Sequence, residues 1–436
     1  MYSNKIKLFI LNNLNSIKFQ QNFLDTGFLF LFVVFCLLTL PFIFSGNRSY
    51  DYDHLHYHLP SILQIRNKFP NLNLSTDTLS AISPGYYYFL AFISLIVGEN
   101  ELNLRLTNCL VSFLVIACLY NYSRRKLPIK ISCLLILPLL TSNFFLKSSW
   151  WIFTDNAALL FITLTIIEIL RSNATVKQGI KIGFLSGFTV FIRQMNAWLF
   201  FPLICRFLLI IKKNTYIKNL IVFIFSLSPI LVIGLLYLSW GGLVPPVWRE
   251  ASIKTSFAPL AYLLSVFGVL GVFYLFLFIK KELFNSSLKL LPVSILIGLI
   301  VSLIGPTSYS LEQGRWGGYL WEVIKYLPVL HDRSIFLMIT TPLGVYTVSI
   351  FALKLKEKRK SQDFLLWLCL VTSWSISFII NRQVFHRYYE PVILVFLIIA
   401  CVKILGDVEN KNPYDFYSSL ILLVLFQFSC SLKLIL

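Results

Sequence analysis

Charge is what this chain of 436 residues has little of: only 13% are Asp, Glu, Lys or Arg. A soluble protein carries roughly a quarter, so too few charges remain to clothe a water-facing surface, and soluble multi-domain architectures are excluded. Cysteines in polar loops are missing too. The eight present, at 36, 109, 118, 133, 205, 369, 401 and 430, all lie in apolar runs without CxxC spacing, which argues against a disulfide framework or a cysteine zinc site. No GxxxxGK[ST] occurs, which excludes nucleotide hydrolysis by a Walker-type loop. Neither a repeat of fixed period nor a loop long enough for an independent soluble domain is visible. Residues 1–436 therefore read as a single transmembrane domain.

What is there is apolar: 57% hydrophobic and 16% aromatic residues, with a mean hydropathy of +0.76. The chain reads as an all-α, multi-pass integral membrane protein. Its net charge of +19 does not point to nucleic acid, because cytoplasmic loops of membrane proteins collect Lys and Arg. Runs able to cross hydrocarbon fall near 26–45, 103–122, 130–147, 155–170, 179–192, 196–211, 218–240, 258–280, 288–306, 334–353, 363–380, 391–406 and 414–435, thirteen spans in all. The first lacks a small-residue cleavage site and reads as an anchor, not a signal peptide.

One further run, 83–97, is only 15 residues long, and loop charge decides whether it crosses. With Lys5, Lys7 and Lys18 cytoplasmic and 83–97 not crossing, the clusters at 124–130, 171–181, 212–218, 280–289 and 354–360 all fall inside. Letting it cross inverts every one, against the positive-inside rule. Residues 46–102 then form a long first outer (periplasmic or lumenal) loop, in which Ser83-Pro84-Gly85 opens an interfacial or re-entrant helix. This topology puts all five histidines (54, 56, 58, 331 and 386) and most carboxylates on the outer face. Any chemistry is expected there.

Four constellations stand out. Tyr50-Asp51-Tyr52-Asp53-His54-Leu55-His56-Tyr57-His58-Leu59-Pro60 follows the first span. It reads as a hydrated interfacial loop, as a divalent-metal site, or as the seat of a general base whose basicity rises by partial desolvation; the base is favoured. Only His54 and His58 share a helical face. Asp155, in Trp150-Trp151-Ile152-Phe153-Thr154-Asp155-Asn156, stands at the lip of an apolar helix as a cap or as a functional carboxylate. Arg193-Gln194-Met195-Asn196 interrupts the run from 179 to 211. An arginine at membrane depth costs about 2.5–3.5 kcal/mol, which a lipid phosphate or an ion pair with Asp155 would offset. Asn381-Arg382-Gln383-Val384-Phe385-His386-Arg387-Tyr388-Tyr389-Glu390 suits an anionic headgroup or snorkelling anchors.

These segments resemble the GT-C glycosyltransferases, membrane enzymes that take a sugar from a polyprenyl-phosphate carrier, and more closely the dolichyl-phosphate-glucose α-1,2-glucosyltransferases. The likeness lies in Asp53 with His58-Leu59-Pro60, Ala81-Ile82-Ser83-Pro84-Gly85-Tyr86-Tyr87, Ile152-Phe153-Thr154-Asp155, Ile192-Arg193-Gln194-Met195-Asn196, Trp240 to Val244 and Arg387-Tyr388-Tyr389, in that order along residues 51–389. The resemblance implies a GT-C-like fold, an inverting hexosyltransferase, and a polyprenyl-phosphate-linked donor with glucose as the sugar. The acceptor is a hydroxyl on a glycan, lipid or protein at the outer face. Asp53 or Asp51 would be the base, with Arg193, Arg387, His386 and Arg382 on the donor phosphate. His54, His58, Asp155, Gln194, Asn196 and Tyr388 would support the substrates. A phosphate held by arginines needs no metal, so no cofactor is expected.

Elimination within the first part of the outer face agrees on the acids. Asp77, Glu99 and Glu101 read as polar loop without an apolar wall, and Asp155 as a helix start whose dipole lowers basicity. Asp51 and Asp53 remain. The rival readings are a lipid-linked saccharide flippase and an outer-face glycan polymerase. A transporter would place ionisable groups near the bilayer midplane and show inverted repeats. Glu168, toward an inner end, is the one acidic residue deep in a span.

Overall fold

The computed structural model describes residues 25–45, 51–171, 175–210, 216–248, 255–276, 288–357, 361–381, 383–406 and 414–435. Helix α1 (Thr26–Phe44) is capped by Asp25, whose carboxylate accepts from the Gly27 and Phe28 amides and is held by Tyr120 and Arg124. A π-helical turn (His54–His58) leads into α2 (Leu59–Lys68), and α3 (Gly85–Val97) packs on it. Then come α4 (Glu101–Arg124), α5 (Ile129–Leu140), α6 (Asn143–Trp150), α7 (Asp155–Ile169), α8 (Val176–Ile192), α9 (Phe200–Ile210), α10 (Tyr216–Ser226) and α11 (Ser228–Trp240). The second half holds α12 (Ala258–Leu275), α13 (Leu291–Ile304), the short α14 (Tyr319–Ile324) and a hairpin of β1 (Val329–Leu330) with β2 (Arg333–Ser334). It ends with α15 (Ile335–Glu357), α16 (Ser361–Ser377), α17 (Glu390–Leu405) and α18 (Tyr414–Ile435).

A helix, or a broken pair, lies at each of the thirteen apolar runs. Among the described residues six helices are long and apolar enough to cross a membrane, or up to eight if each bent pair is one span. The run at 130–147 is not one straight helix: α5 and α6 meet at 71°. Ser142 caps α6 and gives its hydroxyl to Glu390, which pins the corner. The run at 218–240 also bends, by 42°, where Pro229 opens α11 and cannot donate to the preceding turn. The break predicted inside 179–211 falls at Arg193, followed by a 3-10 turn at Gln194–Leu199.

Gly183 packs α8 onto α10; a Cβ there would lie 2.7 Å from the Phe225 carbonyl oxygen. With Gly187 it forms a GxxxG, a spacing that suits close helix packing. Helix α17 is apolar and buried on every face from Glu390 to Val402, as expected of a central post rather than a surface helix. Glu168 is buried and held by Arg171 at 2.7 Å and Lys181 at 2.6 Å. Asp77 corrects the reading of it as a polar-loop residue. It is fully buried, accepting from the Asn73 amide and from Lys68 at 3.0 Å, and organises the 69–84 segment. That segment docks on α11 through Ser75 to the Ser239 carbonyl (2.8 Å) and Trp240 to the Leu74 carbonyl (2.9 Å).

Candidate active site

The acidic turn is built by Asp51. Its Oδ1 accepts from the Asp53 amide (3.0 Å) and the His54 amide (3.4 Å), and its Oδ2 meets Lys147 on α6 at 2.6 Å. Burial works to raise its pKa, but Lys147, Arg387 and the His54 amide outweigh it and hold the carboxyl below the usual range. Asp51 is therefore committed to the turn. Asp53, half-buried, is free of such duties and receives Arg387 Nη2 on Oδ2 at 2.9 Å.

The three histidines diverge. His54 is buried, its Nδ1 accepting from the Ile152 amide (3.2 Å), so Nε2 carries the proton toward Glu101 (3.1 Å). His58 is buried with Nδ1 2.6 Å from the Tyr87 hydroxyl. Burial, with Arg387 nearby, pushes its pKa down to about 3, which keeps it neutral. His56 is exposed and stacks on Tyr52. No group of three or more His, Cys, Asp or Glu among the described residues could hold a metal.

The arginines come from different halves of the chain. Arg193, at the break after α8, donates Nη1 to Asp155 at 2.5 Å. Asp155 is the first residue of α7, with Thr154 in the cap position; it is not the cap. Tyr388 stands between the two guanidiniums, its ring 4.9 Å from that of Arg193 and 5.2 Å from that of Arg387. The order Asp155, Arg193, Tyr388, Arg387, Asp53 is a nearly charge-balanced row. Gln194 fastens it to the first long segment, accepting from the Ser83 amide and hydroxyl (2.9 Å each) and donating to the Ala81 carbonyl (2.6 Å). Asn196 closes its own turn on the Thr189 carbonyl (3.3 Å). Both residues position the arginine turn. Arg387 Nε is buried and makes no hydrogen bond to the protein.

Two cavities flank this row. The smaller, about 340 Å³, is walled by Leu159, Ile162, Phe201, Ile230 and Ile376, with Asp155, Arg193 and Asn196 also lining it. The larger, about 1060 Å³, is lined by Asp51, Asp53, Lys147, Trp248, Trp316 and Glu322 among others. Ala81, Ile82, Gln383, Arg387 and Tyr388 line both. All six motif segments, scattered over residues 51–389, contribute to these walls.

Of the two remaining expected phosphate ligands, one is described and does not stand in this row. Arg382 lies outside the described residues. His386 is fully buried, with Nδ1 2.7 Å from the Tyr262 hydroxyl and Nε2 2.7 Å from Glu390; both ring nitrogens are engaged, so it has no edge for a phosphate. Sequence reasoning also missed Lys147. Its signal was a lone cation ending an apolar run.

Residues 82–240 match the family model described as dolichyl-phosphate-mannose-protein mannosyltransferase. That stretch holds Asp155 and Arg193 and lies between Asp53 and Arg387. The match spans 159 of the chain's 436 residues. No curated protein matches the chain. Among solved structures, ArnT from Cupriavidus metallidurans in the apo state is similar, at 11% identity over 84% of this chain and 77% of that chain, with a TM-score of 0.37.

Proposed function

We propose that the chain is an inverting glycosyltransferase that takes a sugar, with glucose the first candidate, from a polyprenyl-phosphate carrier. It passes the sugar to a hydroxyl of a glycan or lipid-linked acceptor on the outer (periplasmic or lumenal) face of its membrane. One observation carries the reading: Arg387 lines both cavities, holds Asp53 at 2.9 Å and keeps Nε unused. In this scheme the prenyl chain occupies the apolar cavity, its phosphate lies against Arg193 and Arg387, and the acceptor enters the larger cavity.

Asp53 removes the proton of the acceptor hydroxyl as that oxygen bonds to the anomeric carbon. The bond from that carbon to the phosphate oxygen breaks on the opposite face, and its electron pair leaves with the phosphate. Asp53 thereby loses its charge while the phosphate gains one. Arg387 faces both, so one fixed guanidinium exchanges an anion on one side for an anion on the other, with little reorganisation. No metal enters the scheme, since two guanidiniums supply the charge that the leaving phosphate requires.

The test is to incubate purified full-length protein with a panel of polyprenyl-phosphate sugars and acceptors and to measure released polyprenyl phosphate. Release with one sugar, together with transfer, supports the reading; no release with any of them rejects it.

A further inference from the structure

His386 is the residue that sequence assigned to the phosphate and that the geometry withholds from it. Its surroundings define another task. The Glu390 carboxylate accepts from Nε2, which leaves Nδ1 to accept the Tyr262 hydroxyl proton. Glu390 is fully buried at the start of α17, where a helix N-terminus favours a carboxylate. Its other oxygen accepts from Ser142 at 2.5 Å and Gln427 at 3.3 Å. The His386 amide donates to the Gly317 carbonyl at 3.0 Å. Gly318, at φ 144°, presses so closely that any Cβ there would overlap the His386 Cβ. One imidazole thus ties α12, the start of α17, and through Glu390 the α6 corner and α18, to a single point.

That point is the first residue of the 3-10 turn His386–Tyr388. The next two residues are Arg387 and Tyr388, each of which lines both cavities. Lys147, the partner of Asp51, rides on α6, whose cap Ser142 is held by the same Glu390. A turn of three residues has no regular ladder of its own to fix its direction, so its anchor sets where the guanidinium lies.

We propose that His386 is a positioning residue: clamped between Tyr262 and Glu390, it fixes the turn that aims Arg387 at the donor phosphate and never touches the phosphate itself. The inference rests on the phosphate role of Arg387 proposed above. It reassigns the histidine from ligand to anchor, and Glu390 and Tyr262 become parts of the same device.

The test is a double-mutant cycle on full-length protein in lipid nanodiscs, read by binding of a polyprenyl phosphate and by kinetics with the donor sugar that supports turnover. His386→Ala should lower donor kcat/KM by about 10²-fold, the loss that a displacement of about 1 Å can cause. Acceptor KM should stay unchanged, and polyprenyl phosphate binding should weaken. In an Arg387→Ala background the same substitution should add almost nothing. Should His386→Ala not fold, Tyr262→Phe and Glu390→Gln each remove one tie and should give the same pattern at smaller amplitude. Additive losses in the double variant would overturn the proposal, since they mark direct contact with phosphate. An equal rise in acceptor KM would also overturn it, as general loosening. If Arg387→Ala alone leaves polyprenyl phosphate binding unchanged, the phosphate reading of the site falls first and the anchor role falls with it.

Discussion

The two arginine–carboxylate pairs of the site share a chemistry and differ in setting. Asp155 and Arg193 are 11% and 16% exposed, in contact at 2.5 Å, with the acid in the first turn of α7. Asp53 and Arg387 are 34% and 25% exposed, 2.9 Å apart, in the wall between two cavities. An enclosed pair is costly to break because one partner would be stranded away from water. A half-open pair loses little when a partner changes. The comparison separates two arginines that sequence had treated as equals. Arg193 is fixed and shapes the head of the apolar cavity, whereas Arg387 can hand its charge from Asp53 to a phosphate.

The largest effect expected is on turnover at Asp53. Asp53→Asn is nearly isosteric and should lower kcat by about 10²–10⁴-fold, with polyprenyl phosphate still bound. Asp51→Asn should cost far less, since that carboxylate holds Lys147 and the turn. Full activity in Asp53→Asn, measured as lipid phosphate release, would end the general-base assignment. Next come the arginines. Arg387→Ala should lower kcat by about 10²–10³-fold with thermal stability nearly unchanged, and Arg387→Lys should recover only part, because lysine lacks the planar fork. Arg193→Ala should instead destabilise by about 3–5 kcal/mol, seen as a drop in Tm. Exchanging Asp155 and Arg193 should restore stability but not activity; restored activity would reduce Arg193 to a structural partner and remove it from the phosphate site.

How much of this was legible in the sequence follows from what each feature depends on. Helix positions follow from apolar runs, and the break at Arg193 from a charge that no long helix would carry into hydrocarbon. Asp53, Arg193 and Arg387 could be singled out because ionisable groups beside apolar spans need a partner or a task. Their meeting could not, since Asp53 and Arg387 are 334 residues apart and no local pattern encodes that contact. His386 misled for a related reason. A histidine beside an arginine looks like a second ligand, and only tertiary contacts with Tyr262 and Glu390 show it facing away. Asp77 misled through its neighbours: the polar residues around it fold over the carboxylate and bury it.

The smallest effect expected concerns acid sensitivity near His58, and it sharpens the contrast between the rigid shell and the exchangeable pair. The folded state holds this imidazole neutral, with a pKa of about 3 against an ordinary 6.5, through burial and then the charge of Arg387. Below pH 6.5 the unfolded chain therefore binds a proton that the folded chain refuses. Stability associated with His58 is complete above that pH and is lost progressively as pH falls toward about 3. The His54 pKa is shifted in the same direction by burial, with Glu101 opposing, so some slope should survive without His58. In His58→Asn the amide oxygen can still accept from Tyr87, while the titrating group is gone. Thermal unfolding in a fixed detergent between pH 7 and 5 should show a shallower fall in Tm for His58→Asn than for the unmodified protein. Arg387→Ala should also flatten the fall slightly, because it removes a cation that opposes protonation of His58. Identical slopes in all three proteins would mean that His58 titrates normally and that its burial does not hold it neutral.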